Sequence, residues 1–275
     1  MSTQQSQQSG RPTPRERLLE ARMREARTAA FRRRAVIGGS VVGALALAAA
    51  ATLAVTAASD GVGSHDDKSE TIATSPTVAT PANTSGHNGT VIVYGKTDAP
   101  HTLQVFEDFR CPICKIFENS TGKAVQRLAD DGTYKIEYHL AAFLDDNLGG
   151  RGSNTALAAV GAALDQGGPE KFKQFHDVLY ANQPEERVDG FGDVNRILEL
   201  AGQVPGLKTD AFTKAVTEGT FRPWASKVAA DFNSSGVRGT PTIKLDGKPL
   251  ELFDSQGTPM TGEQFTAVVR QAVGN

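Results

Sequence analysis

Only two cysteines occur in 275 residues, and they stand three positions apart in Phe109-Arg110-Cys111-Pro112-Ile113-Cys114-Lys115. Before them, Thr102-Leu103-Gln104-Val105-Phe106 is β-branched and aromatic and predicts a strand. After them, Ile113, Ile116, Phe117, Ala124 and Leu128 recur at roughly helical spacing. The pair is therefore expected at a strand-to-helix junction. Pro112 would sit in the first helical turn, where a missing N–H costs nothing. A helix start carries unpaired N–H groups and about half a positive charge. A thiolate is favoured there, and a cysteine pKa near ~8.5 can fall to roughly 3.5–7.5 in such a motif. Cys111 is expected at the helix mouth, exposed and ionisable, with Cys114 facing inward.

Charge is uneven along the chain. Residues 1–34 hold nine Arg and three Glu, a net of +6, so the remainder of a chain of net charge −2 carries −8. Directly after Arg32-Arg33-Arg34 comes an uncharged run of Ala, Val, Leu and Gly over residues 35–58. As a helix at ~1.5 Å per residue it spans about 36 Å, more than the ~30 Å hydrocarbon core. It exceeds the ~7–15 residues of a signal-peptide core, so a retained single-pass anchor is expected in the cell membrane rather than a cleaved leader. The flanking arginines place the N-terminus in the cytoplasm and the rest of the chain outside. Residues 1–34 are thus read as a basic cytoplasmic tail, 35–58 as a transmembrane helix, and 59–89, rich in Ser, Thr, Pro, Asn and Gly, as a flexible linker.

Residues 90–275 read as one α/β domain. Thr90-Val91-Ile92-Val93-Tyr94 predicts a strand, as does the alternating Tyr134-Lys135-Ile136-Glu137-Tyr138-His139-Leu140. Strand, cysteine helix and strand make a βαβ unit. A helical block covers about 150–233, with helices expected over 155–166, 169–182, 194–201 and 209–233. Its turns are Gly167-Gly168, Asp189-Gly190 and Pro205-Gly206, and Phe172, Phe175, Leu179, Phe212, Phe221 and Trp224 are its expected core. Then Gly239-Thr240-Pro241-Thr242 leads into a strand, Asp246-Gly247 marks a hairpin, Lys248 to Phe253 returns, and Thr261 to Val273 is a final helix. His139 is expected to be bonded within the sheet or at its surface, and His65 and His87 to be solvated in the linker.

This order of elements resembles the thioredoxin fold. With Cys111-Pro112-Ile113-Cys114 opening a helix, a helical insertion, and a distant Gly239-Thr240-Pro241, it is similar to the DsbA-like branch of the thiol–disulfide oxidoreductases. The resemblance covers about residues 90–275. It implies that Pro241 is cis and lies against the cysteines, with the Thr240 backbone offered to an extended substrate chain. The sequence departs from the pattern in several places. Where thioredoxins carry a buried Asp and DsbA a Glu, six residues before the first Cys, this chain has Val105. The nearest acids are Glu107 and Asp108; Glu107 could move protons for Cys114, and a solvated strand-end charge is its plainer reading. Arg110 stands where thioredoxin has Trp, and Pro112 and Ile113, with no His, separate the cysteines. Arg110 and Lys115 would favour a nearby thiolate, though such residues are more often simply exposed.

A bridge across two residues closes a very short loop and restrains the unfolded chain little. Zinc needs about four ligands, and neither further thiols nor spaced histidines supply them. No metal, cofactor or nucleic-acid partner is therefore expected. The reading that follows is thiol–disulfide exchange with cysteine-containing exported proteins, as oxidase or isomerase, with a redox partner that resets the dithiol. Two rivals remain open at this level. One is a membrane-tethered binding module with a static bridge; the other is a dedicated extracytoplasmic reductase.

Overall fold

The computed structural model describes residues 78–86, 88–253 and 258–274. The expected tail, transmembrane helix, most of the linker, His65 and His87 lie outside the described residues. Among the described residues no helix is long and apolar enough to cross a membrane.

Among the described residues six strands form one mixed sheet: β1 Thr84–Ser85, β2 Val91–Tyr94, β3 Thr102–Asp108, β4 Lys135–Ala141, β5 Thr242–Leu245 and β6 Lys248–Leu250. Their order across the sheet is β1-β2-β4-β3-β5-β6. Only β3 and β4 run parallel, in the register Thr102 with Lys135 through Asp108 with Ala141. The other pairs are antiparallel. Strand β3 is central, and its sequence shows why. Leu103 and Val105 alternate inward, and the last four residues, Val105 to Asp108, are all buried. A strand covered on both faces has no solvent side to which a polar residue can turn, which is how Glu107 and Asp108 come to be interior.

The strand β1 corrects the expected linker boundary. Thr84 and Ser85 pair with Ile92 and Val91. Pro81 is buried, and the Ala82 N–H donates to Asp165 Oδ1 at 2.8 Å. The ordered domain therefore begins before residue 90.

Eight α-helices follow in chain order among the described residues: α1 Pro112–Phe117, α2 Lys123–Asp130, α3 Phe143–Leu148, α4 Gly152–Ala181, α5 Val194–Ala201, α6 Asp210–Glu218, α7 Arg222–Ser234 and α8 Gly262–Val273. A π-helical turn, Glu118–Gly122, joins α1 to α2. The expected break at Gly167-Gly168 is a kink within α4, where Gly168 takes φ +68° and Pro169 restarts the helix. The helix expected over 209–233 is two helices. Gly219 adopts the left-handed conformation that ends α6, and Pro223 opens α7. Helix α8 begins with the Thr261–Gln264 capping box. Phe172, Phe175, Leu179, Phe212, Phe221 and Trp224 are buried core, as expected. Trp224 Nε1 donates to the Gly89 carbonyl at 2.7 Å, tying α7 to the strand β2 entrance.

Candidate active site

Cys111 follows β3 by three residues and is the N-cap of α1, with Pro112 in the first turn. Its backbone is extended, at φ −74° and ψ 116°, and its side chain makes no capping bond to the helix. Both cysteines are free thiols. The Cys111 thiol donates to the carbonyl oxygen of Thr240, 3.3 Å away. The Thr240–Pro241 peptide bond is cis. The sulfur that was expected to be exposed is largely covered: Cys111 is 7% accessible and Cys114 0%.

The two thiols are driven in opposite directions. Cys111 is lowered from its ordinary range to about 6. The main cause is the hydrogen bond from the Cys114 thiol. The Thr240 side chain and the N–H groups of Cys114 and Ile113 add to it against the opposing effect of burial. Cys114 is raised well above its ordinary value by burial, by the bond it gives to Cys111, and by the charge of Glu107. One sulfur is a ready anion at neutral pH and its neighbour holds a proton.

The helical segment positions this motif. Gln183 Nε2 donates to the carbonyls of Phe109 at 2.8 Å and Cys111 at 3.0 Å. Lys115 Nζ donates to the Gln183 carbonyl at 2.9 Å. Arg110 is 2% accessible and not the exposed cation that sequence suggested. Its guanidinium pairs with Asp145 Oδ1 at 2.8 Å and donates to the carbonyls of Gly149 and Glu186. Its charge is thereby matched by Asp145 rather than by the Cys111 sulfur. Asp108 accepts from Ser153 Oγ at 2.5 Å and from the N–H groups of Arg110 and Leu144. Burial raises the Asp108 carboxyl to about 6 despite those donors. Ile113 is 41% accessible, and with Ile116 it leaves an apolar edge on α1 open to solvent.

Glu107 is not a solvated strand-end charge. Glu107 and His176, on α4, are both 0% accessible, and His176 Nε2 lies 3.0 Å from Glu107 Oε2. Around them stand Glu118 on the π turn and Lys173 and Asp177 on α4. Lys173 Nζ is 3.9 Å from Glu118 Oε2 and is tightly paired with Asp177 Oδ1. Gly122 makes room for this: a Cβ there would meet Glu118 Oε2 at 2.5 Å. Glu107, Glu118 and His176 bring ligand-type atoms within 4.8 Å of one another. The Lys173 ammonium already places a positive charge beside them, so they are not read as metal ligands. His139 lies elsewhere, stacked on Phe106 at 4.5 Å, and burial lowers its pKa.

Of the residues singled out by sequence, Cys111 meets Thr240, which the cis bond joins to Pro241, while Pro112, Ile113 and Cys114 continue from Cys111 into α1 and Glu107 acts on Cys114 through its charge. Sequence reasoning missed His176 and Gln183 and gave Asp108 no role. For His176 and Gln183 the only available signal was residue type, since their partners lie far away along the chain; Asp108 accepts from the nearby Arg110 N–H as well as from distant Ser153 and Leu144.

With this geometry in hand, the chain can be placed. A protein-family model described as Thioredoxin matches residues 87–270. The chain belongs to the thioredoxin family, and within it is DsbA-like. It is 26% identical over 162 residues to disulfide bond formation protein D of Bacillus subtilis, covering 58% of this chain and 70% of that protein. The oxidised DsbA of Mycobacterium tuberculosis superposes with a TM-score of 0.53 at 27% identity, covering 66% of this chain and 89% of that one. The reduced disulfide bond oxidoreductase DsbG of the same organism gives 0.54 at 26% identity, over 71% and 86%.

Proposed function

We propose that this chain is a thiol–disulfide oxidoreductase that oxidises exported proteins, with Cys111 as the exchanging sulfur and Cys114 as its resolving partner. The observation that carries the reading is the opposed pair of thiols, Cys111 down at about 6 and Cys114 raised, facing the Thr240 carbonyl.

In the oxidising direction a substrate thiolate attacks Cys111 of the disulfide form. A Cys111–substrate disulfide forms, and the electron pair of the broken bond goes to Cys114, which takes up a proton. The second substrate thiol then attacks the substrate sulfur of the mixed disulfide, and Cys111 leaves as a thiolate. A low leaving-group pKa speeds that departure and stabilises the reduced enzyme, which makes the couple more oxidising. This favours oxidation over general reduction. The name of the Bacillus relative, disulfide bond formation protein D, supports the same direction. A redox partner must then reoxidise the dithiol.

The Thr240–Pro241 segment, with its carbonyl at the sulfur, would hold the substrate as an added extended strand. Ile113 offers apolar contact beside it. No cofactor is required, because electrons pass only between sulfurs. We place the domain outside the cell membrane, anchored through residues 35–58 with residues 1–34 inside. N-terminal sequencing of the mature protein should find a start well before residue 58.

The deciding experiment is oxidative refolding of a reduced model protein. Wild type should accelerate it, Cys111→Ser should not, and Cys114→Ser should accumulate a covalent substrate adduct. Equal inactivity of wild type and Cys111→Ser, with no exchange with glutathione, would reduce the domain to a binding module.

A further inference from the structure

The Cys111 sulfur faces the Thr240 carbonyl at 3.3 Å, so its chemistry depends on where residues 236–241 stand. This segment runs from the end of α7 to the start of β5, and strand pairing begins only at Thr242, opposite Phe106. Its first half is well fastened. Ser235 Oγ donates to the Phe232 carbonyl at 2.7 Å and accepts the Val237 N–H at 3.2 Å. Gly236 makes the turn at φ +78°, and Val237 packs on a small cluster of Phe106, Ala141 and Phe232. The second half is not wedged in this way. A Cβ at Gly239 would meet nothing within 4 Å, so no neighbour blocks the backbone where it leads into Thr240. What holds it is Thr242 Oγ1, which donates to the Gly239 carbonyl at 2.8 Å.

We propose that Thr242 is a positioning residue of the exchange reaction: its hydroxyl, through the Gly239 carbonyl, fixes the peptide plane that presents Thr240 to Cys111. The inference rests on the dithiol exchange proposed above and names a residue outside the motif on which its reactivity depends.

The Gly239 carbonyl belongs to the planar unit that ends at the Thr240 Cα. Holding that carbonyl therefore fixes the approach to Thr240 from one side, as the pairing of β5 does from the other. Both states of the sulfur depend on how Thr240 is turned. As a thiol, Cys111 donates to the Thr240 carbonyl. As a thiolate it is favoured by the Thr240 side chain, whose hydroxyl oxygen is buried and without a partner among the described residues. Without the Thr242 hydroxyl, the Gly239–Thr240 peptide is free to rotate into the open space beside it, and the Thr240 donor leaves the sulfur. Cys111 is 7% accessible, so water does not replace that donor. A less stable thiolate is also a slower leaving group from a mixed disulfide.

The charged groups near the motif are engaged elsewhere. Arg110 pairs with Asp145, Lys115 donates to the Gln183 carbonyl, and Asp108 accepts from Ser153. Glu107 acts on Cys114, and Arg238, on the same segment as Thr240, is exposed. None of these contacts involves the Thr242 hydroxyl. Were that hydroxyl only a closure of the turn into β5, its loss would lower stability and leave the sulfur unchanged. The test therefore reads the sulfur.

Reduced full-length wild type, Thr242→Val, Thr242→Ser and Thr240→Val are titrated by absorbance at 240 nm and by the rate of iodoacetamide alkylation of Cys111. Valine keeps the shape of threonine and removes the donor. Thr242→Val should raise the midpoint by about one unit, the scale of one hydrogen bond to a charged group, and slow alkylation at pH 5 about tenfold through the smaller thiolate fraction. Thr242→Ser should restore the wild-type titration. Thr240→Val should give a similar shift, and the double Val variant should shift no further than either alone, since both changes remove the same donor. Thr242→Ala decides the matter if Thr242→Val does not fold. A folded variant without the Thr242 hydroxyl that titrates as wild type overturns the proposal, and so do additive shifts in the double variant. Oxidised glutathione added to reduced wild type should give a Cys111 adduct that resolves to the Cys111–Cys114 disulfide. Its absence overturns the exchange reading itself, whatever the Thr242 titrations show.

Discussion

Cys111 Sγ lies 3.3 Å from the carbonyl oxygen of Thr240, a residue 129 positions further along the chain. The contact suits the thiol, which can donate to the carbonyl. It does not suit the thiolate, which has nothing to donate. The anion is favoured by the Cys114 thiol and by the Thr240 side chain, whose hydroxyl oxygen makes no hydrogen bond while the thiol faces the carbonyl. Ionisation should therefore exchange one Thr240 contact for another.

Absorbance at 240 nm of the reduced protein should report a single thiolate with a midpoint at about pH 6. Iodoacetamide at pH 7 should alkylate Cys111 and spare Cys114. A midpoint above 8, or equal labelling of both, would contradict the asymmetry on which the exchange mechanism depends.

The same titration predicts how stability changes with pH. The Cys111 pKa is lower in the folded state than in the unfolded chain. Its contribution is therefore lost as pH falls through about 6 and fully present above the unfolded value near 9. A shift of three units corresponds to about 4 kcal/mol at most, at ~1.36 kcal/mol per unit. Denaturant unfolding of reduced wild type and reduced Cys111→Ser should give a stability difference that grows in favour of wild type between pH 6 and 9. A flat difference would refute it.

His176 and Glu107 should act in the opposite sense. Both are raised in the folded state. Their stabilising contribution is complete at low pH and lost as pH climbs, through about 8 for Glu107 and about 9 for His176. In the Cys111→Ser background, where the cysteine contribution is gone, the melting temperature should fall from pH 6 to 9. His176→Gln should flatten that fall.

Arg110→Met should cost about 3–5 kcal/mol, because it strands the Asp145 carboxylate and the Gly149 and Glu186 carbonyls without their buried cation. It should move the Cys111 titration little, since that guanidinium is matched by Asp145. Urea unfolding and the 240 nm titration together check both halves. A Cys111 midpoint raised by a unit or more would mean that the arginine charge reaches the sulfur.

Gln183→Ala should orphan the buried Phe109 carbonyl, whereas the Cys111 carbonyl keeps the Lys115 N–H at 3.2 Å. The expected loss is about 1–3 kcal/mol. Gln183→Glu, which cannot donate, should be at least as damaging by chemical denaturation. A neutral Gln183→Ala would show that the clamp is ornamental.

The parts of this arrangement legible in the sequence were those set by short-range pattern. The strand before Cys111, the proline in the first turn of α1, the Gly239-Thr240-Pro241 turn and the apolar spacing of Phe172, Phe175 and Leu179 announce themselves within a few residues. What escaped is long-range and polar. His176 sits mid-helix like any amphipathic-helix histidine, and only the packing of α4 against β3 brings it to Glu107, 69 positions away. Arg110 beside a reactive cysteine reads naturally as an exposed cation, and only α3 and the segment after α4 reveal its cage. Glu107 looked like a strand-end charge because the burial of both faces of β3 is a property of the sheet. The strand Thr84–Ser85 was hidden in a Ser/Thr/Pro-rich stretch whose composition suggests a linker, although its Pro81 is buried.

The clamp of Gln183 on the carbonyls flanking the redox motif has an engineering consequence. Asp145, Ser153, His176, Gln183 and the Glu186 carbonyl all come from the segment spliced between the two halves of the sheet. Transplanting Cys-Pro-Ile-Cys onto a minimal scaffold without that splice would carry over the sulfurs and leave behind these groups that hold the motif in place. In this molecule the added helices are the chassis on which the motif is mounted, and shortening them amounts to rebuilding the active centre.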